Sequence, residues 1–211
     1  MPPLSRSPCI PLQHAVWSRA RAATCKFSAL NKALAHALYR ANFIAWATSS
    51  GPRAPDPSIV KSFTPEELLD MNLSFRGNPL KKQLWMGLRY ADHDALHPRV
   101  PAIGKILGVN KAPRIGPSEL ERLLGGEKVT LEGREFSGLN NGQALFLRTG
   151  TAEVMESREA LEKGATGELI CRVWPFREKR EAKKGEEISA AREREVKDGV
   201  DSNSAASEAR S

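Results

Sequence analysis

Aromatic side chains make up only 6% of the 211 residues, too few for a chain-long stacking platform of the kind that grips single-stranded nucleic acid. Cys9, Cys25 and Cys171 are odd in number and far apart, with no C-x-x-C pair, which argues against a disulfide framework or a zinc knuckle and fits a reducing compartment. No apolar run approaches the ~18 residues of a membrane-spanning helix, so no membrane is expected as a partner. The opening MPPLSRSPCIP has no secretory hydrophobic region. The phosphate-cradling G-x-x-x-x-G-K-[ST], a G-x-G-x-x-G after a strand and the nucleophile elbow G-x-S-x-G are all missing. Asp92-His93-Asp94 with His97 has a spacing that a metal could use. It sits in a polar turn before Pro98 with no further ligand in sight, and reads as a solvated loop. His14 and His36 lie on predicted helices without acidic neighbours, and the adjacent carboxylates of Glu66-Glu67 and Glu186-Glu187 point in different directions. No catalytic, metal or cofactor site is expected, and no small-molecule substrate.

Acid is what the first quarter of the chain lacks. Met1 to Lys61 carries the basic residues Arg6, Arg19, Arg21, Lys26, Lys32, Arg40, Arg53 and Lys61 against the single acid Asp56, while from Ser62 onward the two signs balance. The whole net charge of +7 therefore belongs to the N-terminal segment. A one-sided basic patch favours a phosphate-bearing partner. A basic, acid-free N-terminus also resembles an organelle-import sequence, although Leu12–Ala23 reads as the first helix of the fold, so import information would lie inside the mature protein.

With 40% hydrophobic and 27% charged residues, the composition is that of an ordinary globular protein of one large or two small domains. Leu12 to Ala23 places Leu12, Ala15, Val16 and Ala23 on one helical face. Ser28 is an N-cap candidate for a second helix, whose Leu30, Leu34, Ala37, Leu38 and Ala41 form a stripe; Lys32 lies in its first turn, beside backbone N–H groups suited to an anion. Phe43–Ala47 reads as a strand, and SSGPRAPDPS after it as a loop. Thr64 followed by Pro65 predicts a short helix through Asp70. Lys81–Tyr90 alternates as a strand, Pro117–Leu124 is a helix stopped by Gly125-Gly126, and Lys128–Phe136 fits a hairpin. From Arg177 the chain is Glu, Lys, Arg, Ala and Ser with hardly an apolar residue, and reads as disordered or as a single helix.

The remaining stretch, Asn140–Trp174, reads as strand, turn, short helix, turn, strand. Ala144–Leu147 is an apolar run, Arg148 to Ala152 a polar corner, Ser157 a cap and Gly164 a stop for a helix, and Leu169–Trp174 the closing strand. Its Gly- and Thr-rich turns expose backbone N–H groups and hydroxyls to a closely approaching polyanion or base edge.

This run resembles the C-terminal signature of the universal small-subunit ribosomal protein eight family: a strand, a Ser/Thr-rich corner (here Arg148-Thr149-Gly150-Thr151, about one residue longer), a hydrophobic pair Val154-Met155, a short helix, a Gly-rich turn Gly164–Glu168 and a strand ending in Trp174. SALNKALAHALYRANFI resembles the family's second helix and following strand, and Val109–Ile115 its interdomain linker. The extra helix near residue 65 points to a mitochondrial, fungal-type member. The resemblance implies a non-enzymatic α+β protein of two small domains, an N-terminal α/β domain and a mainly β C-terminal domain with a short helix. The boundaries are 1–11 extension, 12–108 with an insertion at about 49–80, 109–176, and 177–211 tail. It implies a structural constituent of the mitochondrial small ribosomal subunit that binds the central domain of small-subunit ribosomal RNA, aids its folding and assembly, and touches neighbouring small-subunit proteins. A free-standing RNA-binding regulator or assembly factor using the same surface is the alternative. In this reading Arg19, Arg21, Lys26 and Lys32, with Lys111 and Arg114 of the linker, hold phosphates beside the helix start at Ser28. Arg148, Thr149, Gly150, Thr151, Gly164, Gly167 and Glu168 supply fit, with Glu168 either reaching RNA or pairing with Arg172.

Overall fold

A computed structural model of the chain describes residues 8–70, 82–91, 100–109 and 112–176. The Lys81 start of the expected strand, the Asp92–His97 turn, Lys111, the first seven residues, the insertion beyond Asp70 and the charged tail lie outside them. The architecture is α+β, with an N-terminal α/β region and a mainly β C-terminal region. In order, the N-terminal elements are α1 (Cys9–Trp17), β1 (Ala22–Lys26), α2 (Ala29–Arg40), β2 (Ile44–Ser50), α3 (Pro57–Ser62), α4 (Pro65–Asp70) and β3 (Gln83–Leu88). After them come β4 (Tyr90–Ala91), β5 (Val100–Pro101), β6 (Ile103–Gly108), β7 (Arg114–Ile115), α5 (Pro117–Leu124), β8 (Val129–Leu131) and β9 (Arg134–Phe136). The last are β10 (Ala144–Arg148), β11 (Val154–Glu156), α6 (Ser157–Glu162) and β12 (Gly167–Pro175).

The first helix is shorter than its apolar spacing predicts. It stops at Trp17, where the Ala20 N–H donates to Ala15 O at 2.8 Å and the Arg19 N–H to Val16 O at 3.2 Å, with Arg19 left-handed at φ 52°. That is the paired-bond helix ending usually signalled by glycine. An arginine in the glycine position hid it, and Ala22 and Ala23, expected to finish the helix, open strand β1 instead. The same bond pattern ends α2 at Asn42 (φ 62°) and α6 at Gly164 (φ 60°). Ser28 caps α2 as expected, its Oγ accepting from the Asn31 N–H at 3.1 Å. Ser157 does not cap α6; the N-cap is Glu156, and buried Ser157 donates to its Oε1 at 3.1 Å. The loop after β2 contains α3, capped by Asp56, whose carboxylate accepts from the Ser58 N–H at 2.9 Å, with Pro57 at the first helical position.

Strands β1, β3 and β2 form one antiparallel sheet in that order, and β11, β10, β12 and β6 a second, with β7 also paired to β12. The second sheet separates two cores. Ala144 and Phe146 of β10 and Cys171 and Val173 of β12 face a core shared with α1, α2, β3 and β6. Leu145, Leu147 and Leu169 face a smaller one closed by α5, α6 and the β8–β9 hairpin. In the β10–β12 ladder Phe146 opposes Cys171 but Leu147 opposes Leu169, so Ile170 is an extra residue, a bulge that lets Leu169 and Cys171 serve opposite faces.

Phe146 is fully buried and meets Phe43 edge-on, ring centroids 6.2 Å apart. The three cysteines, distant in sequence, converge in this core without a disulfide, and burial pushes the Cys25 thiol up to about 12. Phe146→Ala is expected to lower stability by about 3–5 kcal/mol in urea denaturation, the cost of emptying a buried aromatic site. A midpoint unchanged from wild type would show that this contact does not tie the two regions together.

Candidate nucleic-acid interface

Strand β10 leaves its core at Arg148, the next outward step after Ala144 and Phe146, and the chain turns through Thr149-Gly150-Thr151-Ala152 into β11. The turn is closed by the Thr149 N–H donating to Glu153 O at 3.2 Å. On β12 the residues facing it are Gly167 and Glu168. A Cβ on Gly167 would lie 2.8 Å from the Arg148 carbonyl oxygen and 3.2 Å from Leu147 Cβ, so this position needs glycine for the strands to close. Arg148 and Glu168 are direct cross-strand partners, and Arg148 Nη2 donates to Glu168 Oε2. Glu168 therefore pairs with Arg148 and not with Arg172. The Arg172 guanidinium is bound to Ser137 O at 2.7 Å, Gly138 O at 2.7 Å and Gln143 Oε1, clamping the loop before β10.

These residues enclose a cleft of about 340 Å³ lined by Arg114, Arg148, Thr149, Gly150, Thr151, Thr166, Gly167 and Glu168. The linker, corner and turn singled out in the sequence thus come together at one place. Thr149 Oγ1 is shielded from solvent and has no hydrogen-bond partner among the described residues. Thr166 is the addition that residue-by-residue reading left out; a hydroxyl within the Gly-rich turn was its only signal. Gly164 is outside the cleft lining, at the end of α6 in a left-handed conformation with open space above it.

The N-terminal cations belong to the α/β region. Arg19 and Arg21 are exposed in the turn from α1 to β1, and Lys26 is exposed at the end of β1. Asn31, buried and missed in the sequence, donates from Nδ2 to Lys26 O at 2.8 Å and fixes that strand end against the start of α2. Lys32 is not a free cation: its Nζ meets Asp70 Oδ1 of α4 at 3.5 Å. Beside this pair the His36 imidazole is held below its ordinary range, by burial first and by the Lys32 charge second. A second, mostly apolar groove of about 610 Å³ has Leu30, Asn31 and Leu34 of α2 along one wall and reaches Arg148 and Glu168, so the ion pair borders both hollows. Among the described residues no group of His, Cys, Asp and Glu could hold a metal ion, and no helix is long and apolar enough to cross a membrane.

Gly167→Ala is expected to destabilise the protein by about 1–3 kcal/mol, as an overpacked backbone contact does. An unaltered urea midpoint would mean that the two strands have room to spare at the cleft floor.

No family model matches the chain. The small ribosomal subunit protein uS8m of Neurospora crassa is 31% identical to it over 165 residues, which cover 78% of this chain and 94% of that protein.

Proposed function

The chain belongs to the family of the mitochondrial small ribosomal subunit protein uS8m, and from that membership we propose that it binds the central domain of small-subunit ribosomal RNA and aids its folding and assembly. Its place is the mitochondrial ribosome, its partners ribosomal RNA and other ribosomal proteins, and the family is non-enzymatic.

The observation that carries the RNA reading is the cleft. It gathers two threonines of the corner, the threonine and glycine of the turn, a carboxylate and two arginines into one small polar hollow, although they come from three separate strands and their loops. RNA duplexes have a deep, narrow major groove, so recognition rests on shape, 2′-hydroxyls and unpaired bases, and a hollow walled by hydroxyls and glycine backbone suits a ribose or base edge. Thr149 adds a cleft-lining hydroxyl whose oxygen has no hydrogen-bond partner among the described residues.

Grip and fit divide between the two proposed domains. The 12–108 part offers Arg19 and Arg21 as exposed cations before β1 and Lys26 as another between β1 and the capped start of α2 at Ser28, with Lys32 held on Asp70 until a phosphate competes for it. The 109–176 part offers Arg114 and the cleft. Phosphate contacts set position and affinity, while contacts to base and sugar set choice.

Binding to a central-domain hairpin should weaken steeply with salt, log affinity falling by about 0.7–0.9 per phosphate neutralised for each unit of log salt. A flat titration removes the N-terminal set from the interface. Thr149→Val and Thr151→Val should reduce the preference for the cognate hairpin over an unrelated one by about 1–3 kcal/mol per lost contact; an equal preference in wild type and variants removes the corner. Arg19→Gly separates binding from folding. It relieves a left-handed residue, so stability should hold or rise by up to about 1 kcal/mol while affinity and salt slope fall; affinity equal to wild type excludes Arg19 as a phosphate contact. Sedimentation of the native protein apart from small subunits would favour a free-standing regulator.

A further inference from the structure

Glu168 is the middle residue of a row running across three strands. Its cross-strand partner on β10 is Arg148, and its partner on β7 is Arg114. The two arginines are not equivalent. Arg148 Nη2 donates to Glu168 Oε2, with both side chains about 40% exposed. Arg114 is exposed, its backbone N–H donates to Glu132 Oε1 at 3.3 Å, and its guanidinium has no partner among the described residues.

The Arg148 guanidinium spends one N–H on Glu168, and a phosphate brought to its other donors would lie beside that carboxylate's negative charge, while releasing Glu168 first would cost a charge-assisted hydrogen bond. Glu168 Oε1, the oxygen not bonded to Arg148, has no partner among the described residues. A carboxylate oxygen only accepts, so what it can take is a donor and never a phosphate oxygen. RNA presents such donors as 2′-hydroxyls and as exocyclic amino groups.

Resting on the RNA-binding reading above, we propose that Arg148 is a positioning residue and not a phosphate contact: it fixes Glu168 so that the free carboxylate oxygen accepts from a donor group of the RNA lying in the cleft. Among the described residues that line the cleft, Arg114 holds the phosphate at this end. The pair borders both the cleft and the apolar groove, so the orientation that Arg148 imposes sets which donor Glu168 meets.

The test uses the full chain and a central-domain hairpin of small-subunit ribosomal RNA. It reads two quantities, the salt slope of affinity and the ratio of affinities for the native hairpin and for hairpins altered one nucleotide at a time, either 2′-deoxy or lacking an exocyclic amino group. Arg114→Gln should lower the slope by about 0.7–0.9 and leave the ratios unchanged. Arg148→Gln should leave the slope unchanged and reduce one ratio by about 5-fold or more, the size of a lost specific contact. Arg148→Lys, which keeps a charged donor, should restore part of that ratio. Loss at a 2′-deoxy position identifies a hydroxyl as the donor, and loss at an amino-deleted base identifies an amino group. Should Arg148→Gln unfold the protein, Glu168→Gln reports on the same contact, losing the ratio and gaining up to one phosphate in slope as Arg148 is released. An Arg148→Gln slope reduced by one phosphate with every ratio intact overturns the assignment and leaves the RNA-binding reading standing. A wild-type protein with no preference for the cognate hairpin overturns both.

Discussion

Strands β10 and β12, separated in sequence by a turn, a third strand and a helix, hold the two cores of the molecule back to back, and the candidate interface depends on how closely they approach. Gly167 allows the approach: its missing Cβ leaves room for the Arg148 carbonyl, and no other side chain fits there without moving backbone. The bulge at Ile170 then sets which residues look which way. After it, Cys171 and Val173 enter the larger core; before it, Leu169 enters the smaller one and Glu168 comes opposite Arg148 at the edge. The buried half of the strand pair thus carries stability and its frayed end carries the chemistry, a common arrangement where a rigid ladder positions polar groups at its rim.

How much of this can be read in the sequence depends on the range of the interaction responsible. Local signals read well. Ser28 before an apolar stripe, Thr64-Pro65 before Glu66-Glu67, Gly125-Gly126 after Leu124 and Gly164 after α6 each act within one helical turn, and each marks a real boundary. Where the usual residue is replaced, the same physics is present without its label: Arg19 ends α1 in the conformation that glycine normally signals, so Ala22 and Ala23 at the start of β1 read as helix. Asp56-Pro57 is a sound helix start that the proline-rich loop around it concealed. Strand β11 spans three residues paired only to β10, too short for any periodicity to show. In the cleft, the corner and the turn carry their composition openly, but that Arg148 engages Glu168 rests on a register shifted by one bulged residue. That Lys32 is neutralised by Asp70 rests on a helix from the insertion folding back to α2. Neither distance has a local correlate.

Charge follows the same partition. Beyond Lys61 the opposite signs meet in short-range pairs, among them Arg122 with Glu127 at 2.9 Å and Lys163 with Glu159 at 2.9 Å, and Glu159 also meets Arg40 of the basic segment at 3.4 Å. Pairs at such exposure contribute little to stability, since solvent screens them and ordering two long side chains costs entropy. Their effect is to cancel the far field of the C-terminal part, so that the unpaired Arg19, Arg21 and Lys26 dominate at distances near the ~8–10 Å screening length of physiological salt. A polyanion is drawn first to the N-terminal surface.

On the RNA-binding reading, that ordering also limits how the nucleic acid can lie. Glu168 at the cleft wall disfavours a phosphate beside it, so on this reading the backbone passes Arg114 and leaves the hollow between Thr149 and Glu168 to other groups. What then enters the hollow is the part of RNA that is not backbone, a ribose edge or a base. The negative residue at the centre of a positive surface is therefore no contradiction. It excludes the group that the rest of the surface attracts, and leaves the threonines and the Gly167 backbone to whatever donor the RNA can offer in place of a phosphate.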